Sequence, residues 1–208
     1  VDAIAPDGAN AAVEQGVTDG AGHLYFDVEN MHHVAVVDAK TLKVTGHFDL
    51  GEKGNAPAGL AIDVKNHLLF AMCRGGTGGS PTCVILSATD GKILATLPLA
   101  GSSDGATFNP RTMEAFSSHG NGTLSVIKEV SLTEFVVEET VQTKAGGKTC
   151  TLDAKTNHVV VITREADPSA PQPATPPAPA PAAQGNGGRG GRGGPTGPQL
   201  LDVLFIGR

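Results

Sequence analysis

The chain repeats one short strand, turn and strand pattern four times. One polar residue marks the equivalent position in every repeat: Asp19, Asp63, Asn109 and Asp153. These positions are 44, 46 and 44 residues apart, and each follows a short apolar segment and precedes a tight turn. A constant period of about 45 residues restricts the fold to architectures in which each unit packs on the next.

Each repeat has room for four short β-strands. The stretches after the turn, at 24–28, 68–72, 114–118 and 159–163, are mostly rich in the β-branched and aromatic residues that favour strands. A polar loop, a third strand, a second turn and a fourth strand follow, and no segment keeps a helical period over three turns. The sequence therefore predicts an all-β fold, a β-propeller of four-stranded antiparallel blades. About four blades are expected, at 14–50, 58–99, 104–143 and 148–166.

Low-complexity sequence interrupts the fourth repeat at residues 167–198, with Pro/Ala runs followed by a Gly-rich stretch. Such sequence cannot bury enough apolar area to offset its ordering entropy, so we predict a disordered insertion. An apolar strand at 199–208 then supplies only the third strand of the last blade. We therefore expect further blades before Val1, or oligomerisation through the open blade edge.

The composition argues against several classes of function. The net charge is −6, and the Gly187–Gly194 segment has two arginines but no aromatic residue to stack on bases, so nucleic acid is not the expected partner. No apolar run approaches the roughly 20 residues of a membrane-spanning helix. The three cysteines lack zinc-site spacing. Cys73 and Cys83 flank a Gly-rich loop, which is compatible with a disulfide or with two free buried thiols.

Several blocks of the sequence resemble the bacterial YncE-like, YVTN-repeat β-propellers. They are VAVVDAKTLKV at Val34–Val44, GLAID at Gly59–Asp63, DGKILATLPL at Asp90–Leu99 and GNGTLSVI at Gly120–Ile127. The resemblance covers residues 14–165 and the last strand, but the YVTN tetrapeptide itself is missing. It implies that the chain holds the C-terminal blades of a seven-bladed propeller, exported to the periplasm or cell surface. It also implies a binding or scaffold protein before an enzyme.

Loops on one face of a propeller converge around its central channel, and polar residues are predicted to collect on that face. The expected ligand-binding residues are Glu14, Asn30, Arg74, Asp104, His119 and Arg164, with Gln15 and Lys148 nearby. Their mixed charge suits an anionic or zwitterionic small molecule, an envelope component or a loop of a partner protein. The competing interpretation is structural, with surface ion pairs at the arginines and backbone amides bound by Asp104.

The sequence does not favour a catalytic or metal site, and no cofactor is predicted. His32 and His33 are adjacent and point in different directions, which does not suit a shared metal ion. His119 follows Ser118, but a catalytic triad needs three groups that converge in space. Two alternatives stay open. One is a lactonase-type or quinoprotein-type enzyme with a metal or cofactor near Glu14 and Asp104, and the other is a structural subunit of an extracellular assembly.

Overall fold

The computed structural model describes residues 10–167, 169 and 199–207, and it is built of antiparallel β-strands joined by turns. Among these residues the single helical segment is a 3₁₀ turn at Glu29–Met31. None of their helices is long and apolar enough to span a membrane. Residues 10–163 and 203–207 form one compact unit, and 164–167, 169 and 199–202 belong to a second. In the second unit, Ser169 N–H donates to Asp167 Oδ1 at 2.8 Å.

Each sheet corresponds to one sequence repeat, and the four sheets are called blades A to D. Blade A contains β1 (Val13–Thr18), β2 (His23–Val28), β3 (His33–Asp38) and β4 (Lys43–Asp49); blade B contains β5 (Pro57–Asp63), β6 (Leu68–Cys73), β7 (Thr82–Ser87) and β8 (Ile93–Pro98). Blade C contains β9 (Ser103–Asn109), β10 (Glu114–His119), β11 (Thr123–Ser131) and β12 (Glu134–Gln142); blade D contains β13 (Cys150–Asp153), β14 (His158–Ala166) and β15 (Gln199–Ile206). Strands pair in chain order, so the predicted all-β architecture is confirmed. Residues 168 and 170–198 of the predicted disordered insertion lie outside the described residues.

The recurring polar residue closes the first turn of every blade. The side-chain Oδ1 atoms of Asp19, Asp63, Asn109 and Asp153 accept the backbone N–H two residues later, at 2.7 to 3.0 Å. An Asx side chain that bonds the backbone two residues on stabilises a turn locally. The repeat is therefore recognisable in the sequence because the same local hydrogen bond is needed four times.

The blades stack through their faces, and the innermost strands β1, β5, β9 and β13 are neighbours in that order. The apolar sequence of strand β6 is unbroken because all six of its residues are buried. Leu69 and Ala71 pack in the cluster shared with blade A, whereas Phe70 and Met72 pack in the cluster shared with blade C. A strand buried on both faces loses the polar alternation of a strand with one solvated face.

The same alternation separates the two cysteines at the ends of the Gly-rich loop. Cys73 lies in the cluster between blades A and B, and Cys83 lies in the cluster between blades B and C. Strands β6 and β7 pair Cys73 with Thr82 and Met72 with Cys83. The disulfide that the sequence allowed is therefore not formed, and both residues are buried free thiols.

Candidate functional site

Arg74 follows β6 and joins blade B to carboxylates of both neighbouring blades. Its Nη1 donates to Glu29 Oε1 at 2.5 Å and to Glu14 Oε1 at 3.2 Å, both from blade A. Its Nη2 lies 3.5 Å from Asp104 Oδ1 of blade C, and its Nε donates to Ser103 O at 3.0 Å. The burial of the guanidinium lowers its pKa, but the two glutamates outweigh burial and raise it.

A second cation, Lys148 in the connection between blades C and D, reaches one of these carboxylates, Asp104. Lys148 Nζ lies 3.6 Å from Asp104 Oδ1, and the lysine side chain is 59% exposed. We call Glu14, Glu29, Arg74, Asp104 and Lys148 the Arg74 cluster. It contains three carboxylates and two cations, and its glutamates and arginine are about one quarter to one third exposed. The cluster thus carries an excess of one negative charge at a partly solvated surface.

Asp27 lies close to the Arg74 cluster and is completely buried on β2. Neither of its carboxyl oxygens has a hydrogen-bond partner among the described residues. Burial raises the pKa of this carboxyl well above its usual range, the charge of Glu14 raises it further, and Arg74 opposes them. Asp27 therefore favours its neutral form, because an unpaired buried carboxylate is costly.

Gln15 connects the innermost strands of three blades beside the Arg74 cluster. Its Oε1 accepts from Leu60 N–H of β5 at 3.2 Å and from Ala106 N–H of β9 at 2.8 Å. Its Nε2 donates to Ala106 O at 2.8 Å. One side-chain amide therefore satisfies three backbone groups on two other blades, which fixes the strand that carries Glu14.

His119 is fully buried in blade C and is not an exposed member of the site. Its Nε2 lies 3.1 Å from Ser117 Oγ and its Nδ1 lies 2.9 Å from Thr123 Oγ1. Burial lowers its pKa to about 4, against the opposing charge of Asp104. Because hydroxyl groups occupy both ring nitrogens, this geometry is a structural hydrogen-bond network and not a Ser-His-carboxylate triad.

The remaining predicted residues do not join the Arg74 cluster. Asn30 accepts Ala12 N–H with Oδ1 and donates to Asn10 O with Nδ2, both at 2.8 Å, so it fastens the chain that precedes β1. Arg164 is on the part of β14 that belongs to the second compact unit. The structure thus brings together three of the predicted residues, Glu14, Arg74 and Asp104, and adds Glu29 and the nearby Asp27, which were not predicted. Neither missed residue has a counterpart of the same type at its repeat position, so the repeat alone gave no signal.

The adjacent residues His32 and His33 make hydrogen bonds to different partners. His32 Nδ1 accepts Ala56 N–H at 3.0 Å, whereas His33 Nε2 lies 3.0 Å from His47 Nδ1. Burial, followed by the neighbouring His47, lowers the pKa of His33. Within the part of the chain that the structure describes, no three His, Cys, Asp or Glu side chains are arranged to hold a metal ion.

Comparison with known proteins defines the fold. No family model matches the chain, and no curated protein matches it. Among solved structures, hydrazine synthase of Kuenenia stuttgartiensis is similar, with a TM-score of 0.60 and 15% identity. The likeness covers 76% of this chain and 44% of that chain, so this chain spans less than half the length of that neighbour. At this identity the likeness concerns architecture, and the chain has the stacked antiparallel blades of a β-propeller.

Proposed function

We propose that the chain is part of an exported, non-enzymatic β-propeller that binds a ligand or a partner protein at its loop face through the Arg74 cluster. The observation that supports the proposal is the meeting of charged side chains from three blades and one connection at a partly exposed surface. Polar groups that converge from separate elements are typical of binding sites. The resemblance to YncE-like propellers supports export and a larger, seven-bladed protein.

The charge balance of the cluster favours a ligand with a cationic group. Arg74 already donates to Ser103 O and to the two glutamates, so its guanidinium offers few donors to an anion. Three carboxylates face two cations, and each carboxylate has further lone pairs to accept from a ligand. We therefore propose an amine or guanidinium group, on a small molecule or on a lysine or arginine of a partner loop, where the sequence suggested an anionic or zwitterionic small molecule, an envelope component or a partner loop.

Model probes test this proposal without knowledge of the natural ligand. The ¹⁵N-labelled protein is titrated with N-acetyl-lysinamide, N-acetyl-argininamide and N-acetyl-glutamate. We expect the two cationic probes to shift the amide signals of β1, the segment after β6 and the start of β9. Because Asp104 is the carboxylate that is ion-paired with both Arg74 and Lys148, the Asp104→Asn variant should weaken these shifts. Glu134→Gln, an exposed change on β12, is the matched control.

Two results would contradict the proposal. One is a stronger response to the acidic probe than to the cationic probes. The other is a response to the cationic probes that Asp104→Asn and Glu134→Gln leave equally unchanged, since binding would then lie elsewhere.

A further inference from the structure

Two buried carboxyl groups lie at the contact between blades B and C, outside the Arg74 cluster. Asp63 ends β5 and Glu129 lies near the end of β11, and their side chains are 1% and 5% exposed. Asn66 Nδ2 donates to Glu129 Oε1 at 2.6 Å across the blade interface. Asp63 and Asn66 belong to the same turn, so this bond brings the Glu129 carboxyl group to the turn that Asp63 closes, and the charge of Asp63 acts on Glu129.

The hydrogen-bond pattern leaves one oxygen of each carboxyl group without a donor. Asp63 Oδ1 accepts the Lys65 N–H at 2.9 Å, and Glu129 Oε1 is occupied by Asn66. Asp63 Oδ2 and Glu129 Oε2 are buried and have no partner donor among the described residues. Two ionised carboxylates in this position would repel each other, whereas a single proton between them would supply the missing donor.

Comparison of the blades shows that the turn itself does not require Glu129. The residues Ala39, Ala88 and Glu129 occupy one position, since each donates its backbone N–H to the first turn of its own blade. The acceptors are Gly22 O, His67 O and Met113 O. Alanine therefore suffices at this position in blades A and B, and the carboxyl group is specific to the B–C interface.

We propose that Asp63 and Glu129 form a proton-binding site that fastens blade C to blade B, with the proton on Glu129 Oε2 donated to Asp63 Oδ2. Loss of that proton converts a hydrogen bond between blades into a repulsion between two buried carboxylates. The contact between these blades is then weakened as the pH rises.

The surroundings of the pair place its response near neutral pH. The pKa of Glu129 is raised to about 7, mainly by burial and also by Asp63, against the opposing effects of the Asn66 hydrogen bond and the charge of Lys65. Lys128, the neighbouring cation on β11, is directed to Thr112 O, and its cross-strand partner is Glu114 of β10. A carboxyl whose pKa is raised in the folded state contributes stability that is present in full below its unfolded value, about 4.5, and is lost as the pH rises through about 7.

The thermal unfolding midpoint between pH 5 and pH 8.5 tests the proposal. Glu129→Gln places a permanent donor where the proton would be, so the wild-type midpoint should fall relative to this variant by about 3 °C or more across that range. Glu129→Ala places in blade C the alanine that blades A and B have at this position, and it should likewise remove the decrease of the unfolding midpoint with pH. Glu134→Gln on β12 should show the same decrease as the wild type. The histidines titrate in the wild type and in each variant alike, so their contribution cancels in the difference between the two unfolding midpoints.

The ¹³C signal of the Glu129 carboxyl group gives a second readout that does not depend on unfolding. Its titration midpoint should lie near pH 7 in the wild type. In Asp63→Asn an amide donates to the carboxylate, so the midpoint should fall by roughly 1 pH unit or more. A Glu129 midpoint in the ordinary range of glutamate, or a wild-type pH response that Glu129→Gln leaves unchanged, would overturn the proposal.

Discussion

The side-chain amide of Gln15 holds both the N–H and the C=O of Ala106, each at 2.8 Å, although the two residues are 91 positions apart. The same Oε1 also accepts Leu60 N–H. A side chain from blade A thereby satisfies backbone groups of β5 and β9, which are the edge strands of their sheets in the described part of the chain.

Gln15→Ala should destabilise the protein by about 2–3 kcal/mol. The substitution leaves three partly buried backbone groups without a partner, and each unsatisfied group costs about 1–3 kcal/mol before water replaces part of the bond. Urea denaturation measures the change. Gln142→Ala, at the exposed end of β12, is the matched control and should change stability by less than about 0.5 kcal/mol. Equal effects of the two variants would show that the Gln15 bridge contributes nothing.

Arg74→Ala should destabilise the junction of blades A, B and C by about 1–3 kcal/mol, because it leaves Glu14, Glu29 and Asp104 facing one another without their central cation. Arg74→Lys should recover only part of this loss, since an ammonium group cannot span the three carboxylates and Ser103 O at once.

Lys148→Ala is the control for the arginine variants. Its ammonium group contacts only Asp104 among the described residues and is largely solvated, so the loss should lie within about 0.5 kcal/mol. If Lys148→Ala were as destabilising as Arg74→Ala, the central position of Arg74 would have no special structural role.

His119 should make the protein sensitive to acid. Its pKa in the folded state is lowered to about 4, mainly by burial, whereas the ordinary value is 6.5. The unfolded chain therefore binds a proton first, and the stability that neutral His119 contributes is present above about pH 6.5 and is lost as the pH falls towards 4. The loss is up to about 3 kcal/mol.

His119→Gln should reduce the loss of stability between about pH 6.5 and pH 4, because glutamine keeps polar contacts with Ser117 and Thr123 without titrating. The check is the denaturation midpoint between pH 4 and pH 7.5, with His158→Gln, a half-exposed change on β14, as the control. A curve for His119→Gln as steep as that of the wild type would contradict the assignment.

All three cysteines should react with a thiol reagent only after unfolding. Each is buried, and burial raises the pKa of the Cys73, Cys83 and Cys150 thiols, so the reactive thiolate is scarce in the native state. Alkylation in denaturant without a reductant, followed by mass spectrometry, should add three labels. A single label would demonstrate a disulfide and contradict the opposite-face arrangement of Cys73 and Cys83.

The sequence alone determined the strands, the turns and the number of blades in this chain. The reason is that their causes are local. The Asp19 and Asp63 side chains bond backbone groups only two residues away, and the unbroken apolar run of β6 follows from burial on both of its faces. Such signals recur with each repeat and can be read without knowledge of how the blades stack.

Only the tertiary structure decided which polar residues meet. Arg74 and Glu29 are 45 positions apart, and Asn66 and Glu129 are 63 positions apart. Their contacts depend on how one blade lies against the next and on which face of a strand a side chain occupies. The same dependence separated Cys73 from Cys83 and buried His119. These outcomes are set by packing between blades, which the repeat pattern of a single blade does not encode.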